Sequence, residues 1–326
     1  MEIAFMSASM LDRSWEATLD AAVDCGVSVI EACGGGHIPK RHFDPLELAS
    51  SADALARFTS SLEQRELRLC ALSCHGNPLH PDPEEAARIH ADFVATCEVA
   101  GKLGVPNVSL LAGCPGGGPD DRVPNWIIKS TLPDVREAYE WQWEERVIPY
   151  WREAVKVADA NGVKVCIEPH SADVVYNLKT FMRLRDAVGA TIGMNYDPSH
   201  MWWQGVDPIA FIQHAGRWIL TCHVKDALMD ERAIALHGVA SPEDYDDWDR
   251  RPWAFTTPGY GHSELFWSQF VLALRNIGYT GALSIECEDP FMTPDDTLRQ
   301  SVELLRRVMP TDPPPRVNWA AVAMGA

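Results

Sequence analysis

The sequence predicts an α/β protein of the (β/α)8 TIM-barrel class, and three observations support this prediction. Eight short apolar runs alternate with helical segments along the chain. The interiors of these runs are continuously apolar, which is typical of parallel strands buried on both faces. Four helical segments lead into the next apolar run through a single glycine, whereas several segments that follow an apolar run are long. A barrel has this asymmetry when its site lies at one end and its stable face at the other.

The predicted elements share clear start and stop signals. Strands rich in Val, Ile, Leu and Cys are predicted at 2–8, 27–33, 67–75, 105–112, 163–168, 191–197, 218–224 and 281–287. Helices, several opened by a Ser cap or a Pro in the first turn and most closed by Gly, are predicted at 14–25, 82–103, 144–161, 177–188, 263–277 and 294–309. The organisation predicted from these elements is one barrel domain, 1–309, with long βα loops and a Pro-rich C-terminal tail, 310–326.

The composition excludes several classes of protein. The 326 residues include 46 acidic and 28 basic side chains, for a net charge of −18, and no Lys/Arg-rich run occurs. Such a surface repels phosphate backbones and anionic bilayers, so neither nucleic acid nor a membrane is expected as a partner. Nine scattered cysteines without a CxxC pair favour a reducing compartment. No leader or membrane-length apolar run is recognisable, so a cytoplasmic location is expected.

Four predicted strands end in a residue that binds hard or borderline metals: Glu168, Asp197, His223 and Glu286. Each has an ordinary alternative interpretation, such as a structural salt bridge for Glu168, a turn before proline for Asp197 or a core histidine for His223. Four consecutive strands ending this way by chance is improbable, and barrel strands converge at one mouth. The sequence therefore predicts one divalent metal. Three carboxylates and an imidazole favour Mn²⁺, with Mg²⁺, Co²⁺, Fe²⁺ and Zn²⁺ as alternatives.

Further side chains are expected near that mouth. His170 stands two residues beyond Glu168 and would share its face if strand geometry continued. Since an imidazole titrates near neutrality, His170 is the candidate general base; the alternative is a histidine on the rim. His75 and Lys225 are candidates for substrate binding. Trp202 is a further candidate because aromatic faces pack on sugars, although Trp is as often an ordinary packing residue.

Several of these residues lie in strings that resemble a known family. The chain from Met1 to about Met309 resembles the xylose-isomerase-like TIM barrels grouped as sugar phosphate isomerases and epimerases. The motifs that carry the resemblance are Ile167-Glu168-Pro169-His170, Asn195-Tyr196-Asp197-Pro198-Ser199-His200, His223-Val224-Lys225-Asp226, Ser284-Ile285-Glu286-Cys287-Glu288 and Pro258-Gly259-Tyr260-Gly261.

The resemblance implies roles for individual residues. It implies that Glu168, Asp197, His223 and Glu286 bind one divalent metal. In the ketose 3-epimerases of this family, the equivalents of Glu168 and Glu286 also exchange protons with substrate, and the equivalent of His200 touches substrate hydroxyls. Those epimerases place an Arg shortly after the histidine ligand, where this chain has a Lys-Asp pair.

A narrower resemblance concerns the large subunit of bacterial C-glycoside deglycosidases. It is carried by Ile3-Ala4-Phe5-Met6-Ser7-Ala8, by Glu168-x-His170 and by Val175-Tyr176-Asn177. Proteins of that group act on 3-keto sugars together with a small second subunit. The resemblance implies that His170 is the general base of an elimination.

These observations predict a metal-dependent isomerase or epimerase that abstracts a proton next to a carbonyl through a metal-stabilised enediolate. The alternative is a lyase, either of the deglycosidase type with a small partner subunit or a keto-inositol dehydratase. A multi-metal DNA-repair enzyme on the same barrel is disfavoured by the charge, and a sugar-binding barrel without catalysis would need no metal. The expected partners are a small sugar or glycoside, with few cations at the mouth to hold a phosphate, and a second copy or a small second subunit.

Overall fold

The computed structural model describes residues 1–245 and 247–311, and its centre is a closed barrel of eight parallel strands. Every predicted strand is confirmed. The barrel strands, each paired with its neighbours in chain order, are β1 (Glu2–Met6), β2 (Val29–Cys33), β3 (Arg68–Ser73), β4 (Asn107–Leu110), β5 (Lys164–Ile167), β6 (Ile192–Tyr196), β7 (Ile219–Val224) and β10 (Ala282–Ile285). β10 closes the ring by pairing with β1 and β7. The predicted TIM-barrel fold is therefore correct.

Helices surround the barrel, and the six predicted ones are all present. The α-helices are α1 (Trp15–Asp24), α2 (Pro45–Ser50), α3 (Ala52–Glu63), α4 (Pro83–Leu103), α5 (Pro133–Trp141), α6 (Ile148–Ala160), α7 (Leu178–Val188), α8 (Ser199–Trp202), α9 (Pro208–Ala215), α10 (Glu231–His237), α11 (Glu264–Asn276) and α12 (Pro294–Val308). The caps follow the sequence signals: Ser14 accepts a hydrogen bond from the Ala17 amide, and Asp82 accepts one from the Glu84 amide.

The single-glycine connections lie at the amino-terminal end of the strands. Gly104 ends α4 with a φ of +68°, a left-handed conformation that glycine adopts without a steric penalty. The amides of Gly104 and Val105 donate to carbonyl groups of α4, and only Val105 and Pro106 then separate the glycine from β4. This end of the barrel is consequently short and regular, and the long connections lie at the opposite end.

The long connection 228–262 is partly regular rather than a simple loop. It contains α10 and a hairpin in which β8 (Asp226–Met229) pairs antiparallel with β9 (Trp253–Thr256). Trp253 and Phe255 of the hairpin are buried and pack against Trp202 and Trp203. This second, smaller apolar cluster fixes the hairpin over the carboxyl ends of β6 and β7.

The loop between β4 and α5 is fastened by one buried side chain. A π-helical turn, Gln142–Val147, joins α5 to α6 and places Gln142 under the loop. The Gln142 amide lies close enough to donate to the carbonyl oxygens of Pro115, Gly116 and Asn125, at 3.2, 3.0 and 2.7 Å. Together with the Asn125 amide, which donates to the Pro115 carbonyl at 2.9 Å, these contacts tie the two ends of the Gly- and Pro-rich segment to each other and to the π-helical turn.

Two sequence predictions concern the ends of the chain and its surroundings. The tail predicted at 310–326 lies outside the described residues from 312 onward. Within the described part of the chain, none of the helices has the length and apolar character needed to cross a membrane.

Candidate metal centre

Three of the four predicted ligands meet at the carboxyl ends of neighbouring strands. Glu168 directly follows β5, Asp197 directly follows β6, and His223 is the penultimate residue of β7. Each offers a ligand atom, and these atoms all lie within 4.8 Å of one another. All three side chains are buried. The parallel order of the strands brings them together, as the sequence predicted.

Glu286, the fourth predicted ligand, stands beside this group. It directly follows β10, the neighbour of β7. Its Oε2 atom lies 3.2 Å from His223 Nδ1 and accepts a hydrogen bond from Lys225 Nζ at 2.8 Å. The carboxylate therefore borders the site but is shared with a lysine.

His223 is oriented by a carboxylate that the sequence analysis missed. Glu31, inside β2 and fully buried, has both oxygens 3.2 Å from His223 Nε2. The Ser73 hydroxyl donates to the same carboxylate. Because Nε2 is occupied, Nδ1 is the nitrogen that faces Glu168 at 3.4 Å and Glu286 at 3.2 Å. Carboxylate-held imidazoles of this kind are typical of metal ligands.

The electrostatics of the cluster are dominated by facing charges. Burial alone would raise the pKa of Glu168, but the imidazoles of His223, His200 and His75 hold it well below the ordinary value. Burial would lower the pKa of His223, yet Glu31, Glu286 and Glu168 raise it well above. A cation at this point is thus strongly favoured, whether it is a proton on the imidazole or a bound ion.

Lys225 supplies one positive charge to the same site. Its buried ammonium group lies 2.8 Å from Glu286, 2.8 Å from Glu288 and 3.2 Å from Asp197. Burial would lower the pKa of Lys225, but these carboxylates raise it well above the usual value. One lysine does not balance the carboxylates gathered here, since Glu168 and Glu31 also face the interior. The surplus of negative charge is what a divalent cation would offset.

Histidines form a second group around Glu168. Ligand atoms of Glu168, His170 and His200 also lie within 4.8 Å of one another. The rings of His170 and His200 are 4.1 Å apart at their centroids, and His75 Nε2 lies 3.1 Å from Glu168 Oε2. Burial, helped by His200, lowers the pKa of His170 to about 3, so its imidazole is neutral in this environment. β5 ends at Ile167, yet His170 still faces the site.

Unpartnered polar atoms mark where a further group fits. Asn195 Oδ1, His75 Nδ1 and His200 Nδ1 are buried without a hydrogen bond. Asp197 Oδ2 and His200 Nε2 also lack a well-formed one, and their charged neighbours are Lys225 and Glu168, each at 3.2 Å. Buried polar atoms of folded proteins normally have partners, so a cluster of exceptions indicates a missing ligand. The donors are oxygens and imidazole nitrogens, which suit a hard or borderline divalent metal. The residues present therefore fit the predicted ion.

A cavity of about 360 Å³ opens beside the cluster. It is lined by His75, Glu168, His170, Lys225 and Glu286, together with apolar residues such as Met6 and Leu111. The volume suits a monosaccharide-sized ligand. Of the predicted substrate contacts, His75 and Lys225 line this cavity, and His200 lies against Glu168.

Trp202 has a different setting from the other predicted substrate contacts. It ends α8, and its ring stacks on His262 with centroids 4.0 Å apart and planes inclined by 13°. It also packs beside Phe266. These contacts agree with the packing alternative that the sequence left open, and contact between Trp202 and substrate stays a prediction.

A second buried carboxylate, Asp226, holds the outer wall of the site. It lies two residues beyond the end of β7, the strand that carries His223, and it is fully buried. It accepts six hydrogen bonds, from the amides of Ala227, Gly259, Gly261 and His262, from His262 Nδ1 and from Trp267 Nε1. The Pro-Gly-Tyr-Gly segment is thereby fixed against the start of the hairpin.

The sequence model of the xylose isomerase-like TIM barrel matches residues 19–308 of the chain. The chain belongs to the xylose isomerase-like TIM barrel family. The chain is also similar to the uncharacterised protein YfiH of Bacillus subtilis (strain 168). The two sequences are 38% identical over 313 residues, which cover 95% of this chain and 99% of YfiH.

Solved structures share the barrel of this family. The probable 3-DHS dehydratase AsbF of Bacillus anthracis is 16% identical with a TM-score of 0.66, over 94% of this chain and 99% of that one. The IOLI protein, with a bound zinc atom, is 18% identical with a TM-score of 0.64, over 94% and 98%. D-psicose 3-epimerase, in the presence of D-fructose, is 17% identical with a TM-score of 0.61, over 95% and 99%. At these identities the likeness concerns the fold.

Two residues of the site were missed from the sequence. Glu31 interrupts an otherwise apolar strand, Val29–Cys33, and a lone acid in such a run was the available signal. Asn195 lies inside β6, where its Nδ2 donates to Glu168 at 2.7 Å. It precedes the Asp of its motif by two positions, so both side chains point to the same face of the strand.

Proposed function

We propose that the protein is a divalent-metal-dependent isomerase or epimerase that acts on a sugar or keto sugar by moving a proton next to a carbonyl. The observation that carries the proposal is the meeting of Glu168, Asp197 and His223 beside a sugar-sized cavity whose wall includes Glu168. Family membership and the epimerases among the solved relatives, such as D-psicose 3-epimerase, support it. A cytoplasmic enzyme that forms a homo-oligomer remains part of the same proposal.

Glu168, Asp197 and His223, with Glu286 at the edge, would hold the ion. A bound divalent cation would act as a Lewis acid and stabilise negative charge that develops on a substrate oxygen. Mn²⁺ is the first candidate because the donors are mainly carboxylates. Glu31 keeps His223 turned so that Nδ1 faces the cluster.

The chain's own groups provide the proton transfers. Glu286 and His170 both line the cavity, and both contact other groups of the cluster. Glu168 and Glu286 are the proposed exchanging pair, with His75, His200 and Lys225 orienting the substrate oxygens. A carboxylate that also binds metal is a weak base. The imidazole of His170 is neutral and has a free lone pair, but burial lowers its pKa to about 3, so it does not have the near-neutral basicity that the sequence predicted.

A lyase is the second candidate, and the position of His170 favours it. This imidazole lines the cavity that would hold the substrate, so it is placed to act as a base there. Loss of a proton to His170 and departure of a substituent on the neighbouring carbon would give an unsaturated product. In that case a small second subunit would complete the site, as the resemblance to the deglycosidases implies.

The experiment has a binding arm and a turnover arm. Mn²⁺ affinity is measured by calorimetry on the wild type, on Glu168→Gln and on Glu98→Gln, an exposed glutamate of α4 that serves as control. We expect Glu168→Gln to weaken Mn²⁺ by a hundredfold or more and Glu98→Gln to have no effect, because only Glu168 faces the cluster. Unchanged metal affinity in Glu168→Gln would remove this residue from the ligand set.

The turnover arm measures solvent deuterium incorporation into ketoses and 3-keto sugars with and without Mn²⁺. Exchange that requires the metal supports the proposal, and its absence with every sugar tested would overturn it. His170→Ala separates the two candidates. A product formed by elimination that disappears in His170→Ala supports the lyase, whereas turnover that survives this substitution demotes His170 as the base.

A further inference from the structure

A second chamber lies next to the metal-site cavity, beneath the hairpin of β8 and β9. It has a volume of about 380 Å³, and its lining includes His170, Cys287 and Glu288, which also line the first cavity. The two chambers are therefore adjacent across the His170 ring. The remaining wall comes from the hairpin, with Arg251 and Phe255, and from the segment that leads into α12.

Arg251 is the distinctive group of this chamber. It is only 9% exposed, and its guanidinium carbon lies 4.2 Å from the centre of the Tyr245 ring and 4.4 Å from that of Trp253. The two rings hold the planar cation in place but do not accept hydrogen bonds in its plane. Arg251 Nε is buried without a hydrogen-bond partner.

The carboxylates around the chamber do not neutralise this cation. Among the described residues, no direct ion pair joins Arg251 to an acid. Glu243, whose pKa is lowered mainly by the Ser241 hydroxyl and less by Arg250 and Arg251, interacts with it only at longer range. Glu288 is bound to Lys225 at 2.8 Å. Asp289 accepts hydrogen bonds from the Thr257 amide and hydroxyl, each at 2.7 Å, and from the Phe291 amide. Both acids are thus engaged away from the guanidinium group.

A buried guanidinium group without an anion is unfavourable, because it has lost water and gained no charged partner. Its planar fork of N–H donors matches the two oxygens of a carboxylate or phosphate group. We propose that Arg251 binds an oxyanionic substituent of the substrate, so that the substrate class is an acidic sugar derivative, either a sugar acid or a sugar phosphate. This inference rests on the proposed function for the reacting end of the molecule.

The position of Arg251 explains why the sequence predicted few cations at the mouth to hold a phosphate. Arg251 lies in the long insertion 228–262. The spacing of the barrel strands along the sequence does not show that this part of the insertion reaches the mouth of the barrel. The hairpin carries it there, because β9 pairs with β8 directly after the imidazole ligand's strand. A ligand with its carbonyl at the metal-site cavity and its anionic group in the second chamber would span both.

The test uses inorganic phosphate and acetate as probes, with binding measured by calorimetry on protein stripped of metal so that neither probe can bind a metal ion. Three proteins are compared: the wild type, Arg251→Gln and, as matched control, Arg250→Gln, the neighbouring arginine whose side chain is 65% exposed. We expect one probe to bind the wild type and Arg250→Gln equally, and to bind Arg251→Gln about tenfold to a hundredfold more weakly. Binding of phosphate alone indicates a sugar phosphate, and binding of acetate alone a sugar acid.

Neither probe binding, or binding that Arg251→Gln leaves unchanged, would overturn the inference. Arg251→Lys serves as a second variant in case Arg251→Gln disrupts the hairpin, because lysine keeps the positive charge while removing the planar fork. Hydrogen exchange at the amides of β8 and β9 reports whether the hairpin is intact in each variant. An intact hairpin in Arg251→Lys together with full binding would also contradict a bidentate contact. The result is independent of the deuterium exchange, since an Arg251-dependent probe site can exist whether or not any keto sugar exchanges.

Discussion

Two buried aspartates at adjacent places on the barrel mouth differ in how their oxygens are satisfied. Asp226 has both oxygens saturated by six donors of its own chain, mostly backbone amides. Asp197 accepts one backbone hydrogen bond, from Ser199 at 2.8 Å, and its other oxygen has no well-formed hydrogen bond. That second oxygen faces the cluster of Glu168, His200 and Lys225.

The difference separates structure from function within one short stretch of sequence. The fold alone satisfies Asp226, so its carboxylate contributes to stability whatever the protein binds. The fold leaves one oxygen of Asp197 without a well-formed hydrogen bond and places other acids nearby. This arrangement lowers the stability of the protein unless a cation is bound. Identical side chains, equally buried, thus predict opposite responses to substitution and to metal.

The largest effect is expected for Asp226→Asn. An amide has one acceptor oxygen, so the NH2 group must face either the amides of the Pro-Gly-Tyr-Gly segment or the Ala227 amide and His262 Nδ1. Opposed donors in a buried site are strongly unfavourable, and we expect the free energy of unfolding to fall by about 3 kcal/mol. Urea denaturation of the metal-free protein measures this value.

A mobile outer wall should accompany that loss. Hydrogen exchange at the amides of Gly259, Gly261 and His262 should accelerate in Asp226→Asn relative to the amides of β4. Protection that stays unchanged at these three amides would show that Asp226 is not what fixes the segment.

The barrel itself was predictable because its signals are local. A continuous apolar run bounded by Gly or Pro identifies a strand such as Lys164–Ile167, and the parallel order of strands then places every strand tip at one mouth. The sequence therefore predicted that Glu168, Asp197 and His223 lie close together, since each is at the end of a barrel strand. The metal-site cavity follows from the same reasoning.

The hairpin and what it carries were not predictable in this way. β8 and β9 pair across the insertion 228–262, and antiparallel pairing at that separation leaves no local periodicity. Arg251 and Phe255 reach the site only through that pairing. Glu31 was missed for another reason: it lies inside β2, so a rule that considers only strand tips passes over it.

The second prediction concerns Glu31. Substitution of this residue leaves His223 in place but removes the carboxylate that orients it, so it tests the orientation of the metal ligand alone. Glu31→Gln keeps the size of the side chain but weakens the grip on His223 Nε2, so that Nδ1 is less firmly directed at the cluster. We expect Mn²⁺ affinity to fall about tenfold to a hundredfold, because partners of metal-bound imidazoles have effects of this size. Calorimetric titration with Mn²⁺ provides the measurement.

The matched control for Glu31→Gln is Asp226→Asn, which alters a carboxylate that does not touch His223. If the two substitutions weakened Mn²⁺ equally, the loss would reflect general disorder at the mouth rather than the orientation of the imidazole. Mn²⁺ affinity identical to the wild type in Glu31→Gln would mean that the strand backbone alone holds His223 in place.

The smallest effect on the metal-free protein is expected for Asp197→Asn. The amide oxygen can still accept from the Ser199 amide, and removal of one negative charge relieves repulsion with Glu168, at the expense of attraction to Lys225. We expect the free energy of unfolding to change by about 1 kcal/mol or less in the absence of metal.

Mn²⁺ at a hundred times its dissociation constant should stabilise the wild type by about 2.7 kcal/mol and leave Asp197→Asn nearly unchanged. Urea denaturation with and without Mn²⁺ gives all four values. Because the same substitution is made at Asp226, a loss of about 3 kcal/mol at Asp197 without metal would place both aspartates in the structural class and remove the distinction between them.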